Sequence, residues 1–217
     1  MKTAVMYGAG NVGRGFLGQL LSESGYEVIF VDIVPELIAV LDERRSYRLR
    51  LVSNAGTEEI TVRNVRALHA SDTEAVATAI AEADLLATAV GGNALPKIAP
   101  TIAAGIARRA ERGNLSPLDI IVCENLKDAP RLLRTMLAQH LAPVHHAYLA
   151  ERVGLVDAVI GRMVPLVPEE MRQDPSFIMA EPYKVLPVNK AGFVGEIPDI
   201  VGLEPRDRFE AYVDRKL

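Results

Sequence analysis

A single cysteine, Cys123, stands in 217 residues. One thiol cannot build an intrachain disulfide framework, and such sparing use suits a reducing cytoplasm. Neither sign of charge is in large excess: 24 Lys and Arg face 28 Asp and Glu, a formal net charge of −4. That balance gives no electrostatic case for a nucleic-acid partner. No apolar run is long enough to span a bilayer. The most apolar later stretch, residues 75–90, is cut by Glu82 and Asp84 and reads as a helix followed by a strand. The N-terminal apolar run is broken by glycines and Arg14, so it does not read as a signal peptide. We therefore expect a soluble, cytoplasmic protein with no membrane partner. Repeats with a period of roughly 20–50 residues and low-complexity tracts are missing. Metal-site spacing is missing too: His145 and His146 are adjacent and point apart, and with Cys123 and Glu151 they make no ligand set. His69 and His140 are isolated, and no Gly-x-Ser-x-Gly nucleophile motif occurs.

What is present begins at the N-terminus. The chain is 49% hydrophobic and 24% charged, enough apolar material for one large domain or one and a half. Thr3-Ala4-Val5-Met6-Tyr7 is short, apolar and β-capable. Gly8-Ala9-Gly10-Asn11-Val12-Gly13 follows at once. Phe16, Leu17, Leu20 and Leu21 then recur at helical spacing up to Gly25, and Val28-Ile29-Phe30-Val31 closes on Asp32. Strand, glycine turn, helix, strand and acid form the dinucleotide-binding fingerprint in its required context. Gly8 allows the tight turn, Gly10 the close approach of a pyrophosphate, and Gly13 the packing of helix on strand. The helix N-terminus then faces the phosphates with free N–H groups. Asp32, 19 residues beyond Gly13, is placed to bind ribose hydroxyls and to repel a 2′-phosphate. Ile33-Val34-Pro35 supplies no arginine to hold such a phosphate, so the expected cofactor is NAD. The competing reading is a glycine turn in a non-binding α/β domain. Arg14 either touches a phosphate or is a solvated helix residue.

Further along, residues 35–45 form a helix that Pro35 opens, with Leu37, Ile38 and Leu41 inward. Residues 47–52 and 59–65 alternate about the turn Asn54-Ala55-Gly56, a hairpin that departs from a pure parallel sheet. Asp72, with Ser71 as competitor, caps a helix carrying Val76, Ala79 and Ile80. A buried strand over 83–90 ends at Gly91-Gly92. Thr88, Val90 and Gly91 there either meet the cofactor or pack as ordinary strand-end residues. A helix over 95–109, a buried strand over 118–123, a helix opened by Lys127 or Asp128, a short helix over 143–152 and a strand over 153–160 complete an alternating βα pattern. Asn125 lies just past a strand's carboxyl end, where open α/β sheets bind ligands, and its amide can donate to a developing alkoxide. Its other reading is a helix cap before Asp128.

After Pro165 the character changes. Pro168, Pro175, Pro182, Pro187, Pro198 and Pro205 leave no room for long helices. Short strands fit 178–180 and 183–186, and 204–217 turns helical with Phe209, Tyr212 and Val213 on one side. The expected fold is α/β, a Rossmann-type doubly wound, mostly parallel sheet with added antiparallel strands. Residues 1–165 would form the NAD-binding domain, 166–205 a proline-rich extension packed on it, and 206–217 the start of a helix leading into a domain that is not here. That last helix ends without a glycine or proline stop, which reads as a cut at a domain boundary.

Residues 7–16, Tyr-Gly-Ala-Gly-Asn-Val-Gly-Arg-Gly-Phe, are more specific than the glycine pattern alone. They resemble the start of the long-chain polyol-specific dehydrogenases, the mannitol dehydrogenase family, and within it the mannitol-1-phosphate branch. Ala87-Thr88-Ala89-Val90-Gly91, Gly113-Asn114-Leu115-Ser116-Pro117-Leu118 and Ile121-Val122-Cys123-Glu124-Asn125 match in order. So do Val156-Asp157, Arg162-Met163-Val164-Pro165 and the stretch 212–217. The resemblance covers nearly the whole chain, most closely over 5–32 and 113–126. It implies reversible hydride transfer between D-mannitol 1-phosphate and D-fructose 6-phosphate with NAD, or a sister activity on free mannitol or a uronate. The implied partner is a small sugar-alcohol phosphate, and homo-oligomerisation stays open. It gives Lys216, in the setting Arg215-Lys216-Leu217, the role of general base, and Asn125 that of donor to the reacting oxygen, with no metal. A lysine titrates near ~10.4 and serves as a base at neutral pH only where burial or cationic neighbours lower it. The family's following asparagine and histidine would lie beyond Leu217, so these residues alone are expected to be inactive. A stand-alone NAD-binding module is the rival of another class. Arg162 would hold a substrate phosphate or, more commonly for an arginine, a surface or interdomain ion pair. Glu124 would pair with a neighbour.

Overall fold

The computed structural model describes residues 1–214. The chain runs β1 (Lys2–Tyr7), a π-helical turn (Gly13–Leu17) continuing into α1 (Gly18–Glu23), β2 (Tyr26–Asp32), α2 (Pro35–Arg44), β3 (Ser46–Ser53) and β4 (Gly56–Arg63). It continues through β5 (Val65–His69), α3 (Thr73–Glu82), β6 (Leu85–Thr88), α4 (Leu95–Glu111), β7 (Leu118–Val122), α5 (Ala129–His140), α6 (His146–Arg152) and β8 (Val153–Asp157). Then come β9 (Ile178–Ala180), β10 (Leu186–Asn189), β11 (Leu203–Arg206) and α7 (Phe209–Asp214). Among the described residues no helix is long and apolar enough to cross a membrane.

Six strands form one sheet in the order β5-β2-β1-β6-β7-β8. Every neighbouring pair in it is parallel. The order reverses between β1 and β6, which makes their carboxyl ends the switch point where doubly wound sheets bind ligands. The strands are buried on both faces, as parallel strands must be. Their side chains alternate between two cores: Ala4 and Met6 of β1 and Val28 and Phe30 of β2 face one, with α1 and α2. Val5, Tyr7, Ile29 and Val31 face the other, with α3, α4 and α5. The helix over 73–82 is capped as its sequence indicates, Asp72 Oδ1 accepting from the Ala75 N–H at 3.0 Å.

A three-stranded sheet, β4-β3-β9, lies over the α1 face. Its hairpin is antiparallel and β9 joins β3 in parallel, Leu49 opposite Ile178. The expected hairpin strand to residue 65 stops at Arg63, because Asn64 turns the chain at φ 57° and Val65 opens β5 beside β2. The expected strand over 183–186 also moves. It forms as β10, and the expected start of a helix at 204 is instead β11, parallel to β10. Pro187 and Pro205 explain both shifts. A residue before proline is pushed out of the helical region, and a two-stranded sheet tolerates prolines that a central strand would not. The helix begins only at Phe209.

The first helix has a local irregularity. Gly18 N–H bonds back to the Gly13 carbonyl, five residues earlier, rather than four. The Arg14 carbonyl accepts instead from the Tyr47 hydroxyl at 2.7 Å. The Gly15 carbonyl accepts from Arg162 Nη1 at 2.9 Å. Gly15 and Gly18 admit these neighbours: a Cβ on Gly15 would stand 2.8 Å from Val164, and one on Gly18 would land on the Tyr47 hydroxyl.

Candidate functional site at the switch point

The glycine turn sits at the carboxyl end of β1. Gly8 takes φ 105° and its N–H donates to the Val31 carbonyl at 2.8 Å. A Cβ there would strike the Ala89 carbonyl carbon at 2.9 Å, and one on Gly13 would press on the Gly8 carbonyl carbon at 3.0 Å. Those two glycines are fixed by packing. Gly10 is different: a Cβ there meets nothing within 4 Å. Packing does not require glycine at that exposed position, whereas a phosphate approaching the backbone does. The turn therefore fits a dinucleotide. Asn11 is exposed and Val12 half-buried beside it, while Ala9 is fully buried.

Asp32 closes the cradle. Its Oδ2 accepts from the Ala9 N–H at 2.7 Å, and its Oδ1 from the N–H groups of Ile33 at 2.7 Å and Val34 at 3.2 Å. A carboxylate has about four acceptor positions, so room remains for a ribose hydroxyl. His69, which sequence reasoning left isolated, braces this loop. Its Nδ1 accepts from the Ser71 N–H at 3.2 Å, which leaves Nε2–H to donate to the Ile33 carbonyl at 3.1 Å. Asp32 and His69 are register partners across β2 and β5, a pairing that the sequence pattern, which places no strand over 66–69, does not announce.

Arg14 is not a solvated helix residue. It is 8% exposed, its Nε donates to the Ala9 carbonyl at 2.6 Å and its Nη1 to the Ser176 carbonyl at 2.6 Å. Burial lowers its pKa, with Tyr47, Asp32 and Asp174 acting the other way. Ala9 is thus held at its N–H by Asp32 and at its carbonyl oxygen by Arg14. Arg162 likewise departs from both expectations. It is 4% exposed, lies 5.2 Å from the Phe16 ring centroid and donates to Gly15 and to Gln19 Oε1 at 2.8 Å. It fastens the 162–164 segment to the first helix, inside the fold rather than at a phosphate or a surface pair. A cleft of about 450 Å³ opens beside Asn11 and Arg14, walled by Leu166, Val167, Arg172 and Phe177.

On the other side of the switch point, Thr88 is fully buried and its hydroxyl has no partner among the described residues. Val90 is half-buried and Gly91, at φ 86°, is exposed. Their two N–H groups are both taken by Glu124, at 3.0 Å to Oε1 and 2.7 Å to Oε2. Asn125 is exposed next to it, and α5 takes Asp128 rather than Asn125 as its N-terminal flanking residue. Asp157 ends β8 opposite Val122 and is half-buried. Burial raises its pKa, the Ala158 N–H opposes that, and Asp128 adds to it. Sequence reasoning gave Asp157 no role, although its place one strand over from Asn125 was readable. Cys123 is buried, and burial foremost, then Glu124 and Asp157, pushes its thiol up. Lys216 lies outside the described residues.

Comparison with known proteins places this geometry. A profile of the mannitol dehydrogenase Rossmann domain matches residues 2–202. Mannitol-1-phosphate 5-dehydrogenase of Brevibacillus brevis is 42% identical over 214 residues, 99% of this chain and 54% of that protein. Among solved structures, Pseudomonas fluorescens mannitol 2-dehydrogenase, in a ternary complex with NAD and D-mannitol, superposes with a TM-score of 0.84 at 15% identity. That match covers 99% of this chain and 55% of the other. A ketopantoate reductase from Ralstonia eutropha shares the fold at TM-score 0.61 and 20% identity, over 100% of this chain and 60% of its own. The chain spans about half the length of the curated relative it matches. It belongs to the mannitol dehydrogenase family, whose Rossmann domain it carries.

Proposed function

We propose that this chain is the NAD-binding part of an oxidoreductase that interconverts D-mannitol 1-phosphate and D-fructose 6-phosphate. The observation that carries the reading is the 42% identity to a mannitol-1-phosphate 5-dehydrogenase across 99% of the chain. The open space over Gly10 and the seating of Asp32 support the cofactor half of it. Bound NAD supplies the hydride acceptor in one direction and NADH the donor in the other.

The chain's own residues do the rest. Gly8, Ala9, Gly10, Asn11, Val12 and Gly13 present the turn and helix N-terminus to the pyrophosphate. Asp32 receives the adenosine ribose hydroxyls, and Arg14 acts on that end through the Ala9 carbonyl. Val90 and Gly91 border the nicotinamide half. Asn125, exposed at the carboxyl end of β7, donates its amide to the oxygen on which negative charge develops. Lys216 takes the hydroxyl proton during oxidation and returns it during reduction. In this reading residues 166–205 pack on the Rossmann domain, as β9 beside β3 suggests.

The test is turnover by the protein extended to the length of its curated relatives. Mannitol 1-phosphate should be oxidised with NAD far faster than free mannitol, and fructose 6-phosphate reduced faster than a uronate. A preference for the unphosphorylated alcohol would assign the chain to a sister activity. Residues 1–217 alone should bind NADH and turn over none of these substrates.

A further inference from the structure

We propose that Glu124 is the positioning residue for the nicotinamide half of the cofactor site, an inference that rests on the NAD reading above. Three observations converge on it. First, its carboxylate takes two successive N–H groups, Val90 at 3.0 Å and Gly91 at 2.7 Å, across the ends of β6 and β7. Such bonds to an ionised acceptor are about twice as strong as neutral ones. Second, Glu124 is only 7% exposed, so water does not screen the contact. Third, the clasp continues on the far side of Asn125. A Cβ on Gly92 would stand 3.1 Å from Leu126, so the loop after β6 packs closely on that side chain. Asn125 lies between two residues that both grip one loop.

The consequence is specific to one end of the ligand. In a doubly wound sheet the two strand halves each take one mononucleotide, and β1, β2 and β5 hold the half with Asp32. The nicotinamide half falls to β6, β7 and β8. Among the described residues the hydrogen bonds of the Glu124 carboxylate run to Val90 and Gly91, whereas Ala9 is held by Asp32. With the N–H groups of Val90 and Gly91 occupied, those two amides are not donors to the cofactor. Glu124 acts on the cofactor through the loop it shapes, and on the reacting oxygen through the placement of Asn125.

The test compares NADH with ADP-ribose, which lacks the nicotinamide, on the wild-type chain and on Glu124→Ala and Glu124→Gln. Wild type should bind NADH more tightly than ADP-ribose. Glu124→Ala should lose about tenfold in NADH affinity, in line with loss of charged hydrogen bonds, while ADP-ribose changes by less than about twofold. Glu124→Gln keeps one acceptor oxygen and should fall between. Amide proton signals of Val90 and Gly91 should move upfield in both variants. Equal losses for the two ligands would show a general folding role and overturn the proposal. So would unchanged NADH binding, or a wild type that binds both ligands alike. If Glu124→Ala does not fold, the NADH to ADP-ribose ratio of Glu124→Gln decides. A wild type that binds neither ligand would instead overturn the NAD reading itself.

Discussion

Asp32 holds the turn, and this changes what its removal should do to the cofactor binding proposed for it. A carboxylate that only repelled a 2′-phosphate would, once removed, let NADPH bind and leave NADH little affected. Here Asp32 also accepts from Ala9 at 2.7 Å and from Ile33 at 2.7 Å. Charged hydrogen bonds contribute roughly 1.5–3 kcal/mol each, and about 1.4 kcal/mol is tenfold in affinity. Asp32→Ala should therefore weaken NADH at least about tenfold and NADPH less, so that the preference shrinks and total affinity falls. Fluorescence titration with both cofactors measures it, and an unchanged preference would remove Asp32 from cofactor selection. At this scale the sequence was a good guide to identity and a poor one to reason. Gly8, Gly10, Gly13 and Asp32 were readable because their chemistry is local. Arg14, Gly15 and Phe16, which made the motif specific to a family, meet Ser176, Val164 and Arg162. Those partners lie about 150 residues away, as with Arg162 and Gly15 at a separation of 147. No local spacing could announce that these residues dock the following segment.

Among the elements, the first helix shows where pattern reading stops. Phe16, Leu17, Leu20 and Leu21 satisfy a helical period, and a helix forms. The π register of Gly13–Leu17 leaves no trace in that period. It persists because the carbonyl of Arg14 receives the Tyr47 hydroxyl in a site where Tyr47 is 2% exposed. Burial holds the phenol's pKa well above its ordinary value, outweighing the opposing effect of Arg14 and Arg162, so the hydroxyl keeps its proton to donate. Tyr47→Phe keeps the ring, its edge contact with Phe30 at 5.9 Å and most of the buried area. It leaves one buried carbonyl short of its donor. An unsatisfied buried group costs about 1–3 kcal/mol, whereas the lost hydroxyl changes apolar burial little. Urea denaturation of Tyr47→Phe should show a loss in that range with unchanged m value, and an unchanged midpoint would mean that the helix re-registers without cost. The same limit explains β5 and β11. The alternation expected to residue 65 runs past the end of the hairpin and 204 reads as helical, because the pairing with β2 and β10 depends on Asn64 turning the chain and on Pro205 refusing a helix.

At the scale of the whole molecule, the central sheet divides two cores that ligand binding should tie together. One core holds α1, β3 and apolar residues from the late segment, among them Ala158, Ile178, Leu186, Val188 and Ile200. The other holds α3, α4 and α5. The switch point between β1 and β6 draws on strands that line both, so a cofactor seated there stabilises the chain as a unit. A ligand at about 100 times its dissociation constant adds about 2.7 kcal/mol when it binds only the folded state. For a chain of 150–250 residues each kcal/mol moves the melting temperature by about 2–4 °C. Saturating NADH should then raise the midpoint by about 5–11 °C in one transition. NADPH at equal concentration should raise it less if Asp32 faces the ribose as proposed, where a carboxylate opposes a 2′-phosphate. ADP-ribose should fall between NADH and no ligand, since on the proposed assignment it fills the Asp32 half and leaves the Glu124 half empty. Calorimetry of the 217-residue chain with the three ligands gives the order directly. A larger shift with NADPH would contradict the Asp32 reading, and a transition that splits under NADH would show that the two cores do not share the ligand.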